Sequence, residues 1–151
     1  MDQLILAGVL VVVAVVAAVL LARRKPDPPT QPTVAVPAQL DRADFDRPDS
    51  PWLVVVFSSA SCAACAGTAQ KAAALGSEAV AVQDVAYQEH GDLHRRYAID
   101  AVPLVLIADA EGVVRGSFVG EPTATDLWAT VADLREPGSV PPGCDHGAGG
   151  D

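Results

Sequence analysis

The chain has 151 residues, half of them hydrophobic, and carries a formal net charge of −9. That length holds one ordinary domain with short extensions, and not two. The acids are spread along the soluble part and Lys and Arg form no broad cluster for phosphate contact, which argues against a nucleic-acid partner.

The first feature in chain order is Leu4 to Ala22, 19 residues without a charge. As a helix such a run spans roughly 29 Å, close to the hydrocarbon thickness of a bilayer. Being apolar on every face, it does not read as an amphipathic core helix. Asp2 stands where a secretory signal carries a base, and no A-x-A cleavage site follows the run. The expectation is a single-span anchor over residues 1–23, inserted in the lipid bilayer through residues 4–22. Arg23, Arg24 and Lys25 follow it directly, so the positive-inside tendency favours the cytoplasm for the remaining chain, with export as the alternative. Residues 24–38 are proline-rich and read as an extended, semi-stiff linker.

Residues 39–137 are expected to form one domain. Asp41 can cap a short helix through Phe45, and Pro48 to Pro51 breaks the chain. Trp52 to Phe57 is a continuous apolar, β-branched run, the pattern of an inner strand. After a loop from Ser58 to Ser61, Cys62 to Leu75 is Ala-rich and stops at Gly76, which predicts a helix. Ala79 to Val85 reads as a second strand and His90 to Tyr97 as a helix. Leu104 to Ala108 and Val113 to Val119 flank Asp109-Ala110-Glu111-Gly112, a hairpin with glycine in its turn. Thr123 caps a last helix running to about Arg135, where Pro137 ends it. Residues 138–151 are rich in Gly and Pro and are expected to be a disordered tail. The order β-α-β-α-β-β-α predicts an α/β domain, a mixed sheet with helices on both faces.

Of the three cysteines, Cys62 and Cys65 stand as C-x-x-C at the start of a predicted helix. A cysteine there has unpaired N–H groups and the positive end of the helix dipole beside its sulfur, which favour thiolate. Cys62 is therefore the candidate nucleophile. Cys65 lies one turn deeper on the same face and can resolve a mixed disulfide. A second C-x-x-C, which a four-cysteine zinc site needs, is absent from the sequence. Cys144-Asp145-His146 reads as part of a solvated tail, and His90 and His94 as surface histidines rather than a metal pair.

The strand leading through Ser61 into Cys62-Ala63-Ala64-Cys65, then Tyr97 to Pro103, the hairpin, Val119-Gly120 and a terminal helix together resemble the thioredoxin superfamily. The resemblance covers about residues 40–136 and implies a thioredoxin fold. It also implies a cis bond between Val102 and Pro103, with the backbone of Val102 pairing an incoming peptide. Its implied activity is thiol–disulfide exchange with disulfide-containing protein substrates, recharged by an upstream thiol reductant or reductase, without metal or other cofactor. The departures are equally legible. Ser61 replaces the family's Trp, Ala63-Ala64 replaces Gly-Pro, and Val56 replaces a buried Asp that helps move protons at the second cysteine. No Lys stands on the neighbouring strand either. Losing the base predicts slower attack by Cys65 at neutral pH. A non-catalytic binding scaffold, or a sensor that responds to oxidation of the pair, is the alternative reading.

Overall fold

The computed structural model describes residues 34–139. The expected anchor over residues 1–23, the linker as far as residue 33, and Cys144 and His146 of the tail lie outside the described residues. Among the described residues, no helix is long and apolar enough to cross a membrane.

Four strands form one sheet: β1 (Trp52–Ser58), β2 (Val80–Ala86), β3 (Leu104–Ala108) and β4 (Val114–Val119). Their order across the sheet is β2-β1-β3-β4. β1 runs parallel to β2 and antiparallel to β3, and β3 runs antiparallel to β4. Three helices flank the sheet: α1 (Ala63–Ala73), α2 (Tyr87–Arg96) and α3 (Ala124–Arg135).

The apolar run of β1 is central and covered on both sides. Leu53, Val55 and Phe57 join Ala81, Val85, Leu93, Leu104 and Leu106 in one cluster, on the α2 side. Val54 and Val56 join Ala72, Val105, Ile107, Leu127 and Val131 in the other, on the α1 and α3 side. Each Val, Leu, Ile or Phe side chain among them, taken fully from water, contributes roughly 1.5–3 kcal/mol before the entropy cost of ordering it. That alternation fixes the register, because a slip of one residue exchanges the two faces.

Local signals explain most boundaries. Asp41 caps a 3-10 turn at Arg42–Asp44 by accepting from the Ala43 N–H at 3.0 Å, where a short helix through Phe45 was expected. Thr123 caps α3 by accepting from the Asp126 N–H at 3.1 Å. α2 departs from the expectation: it begins at Tyr87, three residues before His90, and is kinked at His90 (φ −128°, ψ 42°). Ala86, its N-cap, has no side chain to announce the start. α1 ends at Ala73 rather than Leu75, with Ala74 as its C-cap.

The segment ahead of the 3-10 turn is fastened to the hairpin. Leu40 N–H donates to the Gly112 carbonyl at 2.8 Å, Val114 N–H donates to the Ala38 carbonyl at 3.0 Å, and Gln39 bridges Val113. Arg42, in the 3-10 turn, is buried, and its guanidinium donates to the carbonyls of Asp109 (2.7 Å) and Ser50 (2.9 Å). Burial lowers the pKa of Arg42 below its ordinary value, an effect partly opposed by Asp109 and Asp49. Burial pushes the Asp109 carboxyl up. Arg115 at 2.6 Å and the N–H groups of Val113 and Glu111 outweigh that effect and leave it below the ordinary range.

Candidate redox site

The sheet register brings the sequence-selected residues to one end. Phe57 pairs with Leu104, Leu104 with Val119, and Ser58 with Ala86. The chain leaving β1 toward Cys62, the Val102–Pro103 segment entering β3, the Val119-Gly120 turn leaving β4 and the start of α2 therefore meet there.

The loop after β1 is held before it reaches the cysteines. Cys62 N–H donates to the Ser59 carbonyl at 3.0 Å. Gln88 on α2 grips the loop twice: its Nε2 donates to Ser59 Oγ at 3.1 Å and its Oε1 accepts from the Ala60 N–H at 3.0 Å. The sequence alone does not single out Gln88, since a polar residue in the first turn of a helix ordinarily faces water.

Cys62 is the N-cap of α1, in extended conformation (φ −98°, ψ 109°), and its side chain makes no capping bond. Its sulfur thus stands at the helix N-terminus, where first-turn N–H groups and the dipole favour a thiolate. Cys62 and Cys65 are joined by a disulfide, with Cα atoms 5.4 Å apart. Cys62 is half-buried, whereas Cys65 is only 3 % exposed. An incoming thiolate therefore meets the Cys62 sulfur first.

The Val102–Pro103 peptide bond is cis. Pro103 is buried, and its carbonyl accepts from the Gly120 N–H at 2.8 Å, which ties this segment to the turn after β4. One residue on, Glu121 pairs with Lys71 of α1 at 2.6 Å, and Lys71 also donates to the Pro122 carbonyl at 3.0 Å. Gly67 of α1 permits this approach, because a Cβ there would lie 3.0 Å from Glu121 Oε1.

Val56 is 1 % exposed in the cluster on the α1 side and offers no proton acceptor. Asp84 stands level with it on edge strand β2 and is exposed. His94 corrects an expectation: it is buried, not superficial, at 4 % exposure. Its ring packs edge-on against Phe57 (5.1 Å) and Tyr87 (5.3 Å). Its Nε2 lies 2.8 Å from the Val85 carbonyl. A carbonyl only accepts, so Nε2 carries the proton. Among the described residues, no group of three or more His, Cys, Asp or Glu side chains is placed to hold a metal ion.

No protein-family model and no curated protein matches the sequence. Solved structures do match. A thioredoxin from Fasciola hepatica is similar at 23 % identity and TM-score 0.50, over 60 % of this chain and 86 % of its own. A chain from a structure of the thiol resolving mechanism in yeast mitochondrial 1-Cys peroxiredoxin via glutathione/thioredoxin systems is similar at 19 % identity and TM-score 0.50. That match covers 62 % of this chain and 86 % of the other. A malarial protein is similar at 14 % identity and TM-score 0.50, over 56 % of this chain and 97 % of its own. The domain is an α/β sandwich of the thioredoxin fold. Within that fold it carries a C-x-x-C disulfide at the start of α1 and a cis proline at the same end of the sheet.

Proposed function

We propose that this chain is a thiol–disulfide oxidoreductase tethered to a membrane, which reduces disulfides of partner proteins through Cys62 and Cys65. The observation that carries the reading is the disulfide at the N-terminus of α1, with a half-buried outer and a buried inner cysteine. In the dithiol form, the Cys62 thiolate attacks one sulfur of a substrate disulfide. A mixed disulfide forms and one substrate thiolate leaves. Cys65 then loses its proton and attacks the Cys62 sulfur, releasing the second substrate thiolate and closing the Cys62–Cys65 disulfide. Two electrons pass from the dithiol to the substrate, and an upstream thiol reductant or reductase restores them. The backbone of Val102 is the proposed pairing edge for the substrate peptide, and Pro103 fixes its position. The tether rests on the uncharged run from Leu4 to Ala22, and a cytoplasmic domain on Arg23, Arg24 and Lys25 directly after it.

A redox titration of the full chain carrying Cys144→Ser, followed by thiol labelling, tests this reading with one pair as readout. A reversible two-electron midpoint near about −270 mV is expected of a reductase. A midpoint nearer about −120 mV belongs to a strong oxidant and reverses the proposed electron flow and orientation. Absence of a reversible transition overturns the reading.

The second reading, a binding scaffold without turnover, is favoured by Val56, Ser61 and Ala63-Ala64 in place of the groups that thioredoxins use. Trapping separates the two. Cys65→Ser in the Cys144→Ser background accumulates mixed disulfides if Cys62 attacks substrates, and none if the domain only binds.

A further inference from the structure

Beside the disulfide loop lies a cleft of about 190 Å³, bordered by Ser59, by Tyr87 and His94 of α2, and by the segment from Ile99 to Val102. It adjoins the redox site on both sides, since Ser59 is three residues before Cys62 and Val102 precedes the cis proline.

Its polar lining is one-sided. With Nε2 donating to the Val85 carbonyl, the Nδ1 of that His94 tautomer is an acceptor. That nitrogen makes no hydrogen bond among the described residues and is not sealed from solvent, since Arg42 Nε is the buried side-chain atom left without a partner among them. Asp100 is exposed and has neither a hydrogen bond nor an ion pair among the described residues. Ser59 Oγ is already engaged by Gln88 and Ser61. The cleft therefore offers a carboxylate and a nitrogen lone pair, between the apolar surfaces of Ile99, Val102 and the exposed Tyr87 ring.

We infer that this cleft is a specificity subsite for a basic side chain, Arg or Lys, next to the disulfide of a polypeptide substrate. The inference rests on the exchange reaction proposed above and adds the class of substrate. The aliphatic stem of such a residue lies against Ile99 and Val102 while its charged head donates to Asp100 and His94 Nδ1. An acidic side chain meets the like charge of the Asp100 carboxylate, and no Lys or Arg lines the cleft to offset it. An apolar one strips water from two acceptors without replacing it.

The test uses the reduced full chain and three disulfide-linked peptides that differ only in the residues flanking cysteine: all Arg, all Gln or all Glu. The rate of peptide reduction is read for the wild type, Asp100→Asn, His94→Phe and, as a control for the overall negative charge, Asp133→Asn. The wild type is expected to reduce the Arg peptide about fivefold faster than the Gln peptide, the worth of one partly exposed charge pair. Asp100→Asn removes most of that preference and Asp133→Asn keeps it. His94→Phe preserves the ring packing and lowers the preference. If that variant does not fold, Asp100→Asn decides alone, since Asp100 is exposed. Equal rates for all peptides, or equal loss in Asp100→Asn and Asp133→Asn, overturn the subsite and leave the exchange reaction standing. Failure to reduce any peptide overturns the exchange reaction itself.

Discussion

Gly120 donates its N–H to the carbonyl of Pro103 at 2.8 Å, joining the turn after β4 to the cis peptide beside the redox site. The bond requires Gly120 at φ +88°, a left-handed conformation in which side chains are strained. Nothing lies within 4 Å of the position a Cβ would take there. The cost of a side chain at Gly120 is therefore conformational, not steric.

Gly120→Ala is expected to lower stability by about 1–2 kcal/mol, the penalty of left-handed backbone for an L residue. Because the strain is local to the Pro103 contact, the rate of exchange at Cys62 should fall along with the urea midpoint. A variant with full stability would mean that the turn relaxes without loss.

Gly112 is the opposite case. It also has positive φ, +79°, but a Cβ there would sit 2.0 Å from the Leu40 carbonyl oxygen. Gly112→Ala must therefore displace the segment holding Gln39 and Leu40, and break the bond from Leu40 N–H as well. It should destabilise more than Gly120→Ala while leaving the midpoint of the Cys62–Cys65 couple unchanged, since the hairpin turn lies at the other end of the strands. Urea denaturation and a redox titration on the same protein check both halves.

What could be read from the sequence follows how each signal is encoded. The β1 run, the Gly76 stop, the Gly112 turn and the Thr123 cap are local chemistry, and each marks its element to within two or three residues. The C-x-x-C pair at a helix start was equally legible, because spacing and helix position suffice to place it. The start of α2 was not: Ala86 cannot cap, and the kink at His90 breaks the periodicity. The burial of His94 and Arg42 was hidden for a different reason. Their acceptors are the carbonyls of Val85, Asp109 and Ser50, set by the tertiary fold rather than by neighbouring residues. The Asp100 and His94 cleft stayed out of view with them.

Val56→Asp returns a carboxylate to the buried face beneath α1. Val56 is 1 % exposed, so an acid there pays for desolvation, and stability should fall by on the order of 3 kcal/mol. If the lost base limits Cys65, the second step of exchange should quicken at neutral pH in the same variant. Stopped-flow release of the second substrate thiol measures it. An unchanged rate would show that another group, or water, accepts the Cys65 proton.

Tyr97 makes stability sensitive to alkali. Its hydroxyl donates to Asp44 and accepts from the Asp41 N–H at 3.0 Å, while its ring stacks on Phe45 at 5.8 Å. Burial, and then the hydrogen bond to Asp44, push its pKa up from 10.0 to about 12. The folded state therefore holds the phenol proton more tightly than the unfolded chain. This contribution is fully present below pH 10 and is lost as pH rises through about 12. Screening by solvent at a half-buried group limits it to on the order of 1 kcal/mol. Tyr97→Phe removes the proton and both bonds, so it should be less stable than the wild type at pH 8. The gap should narrow steadily toward pH 12, as the wild type loses what the variant never had. Urea midpoints of the two proteins across that range provide the measurement, and a gap that stays constant with pH would mean that Tyr97 titrates alike in both states.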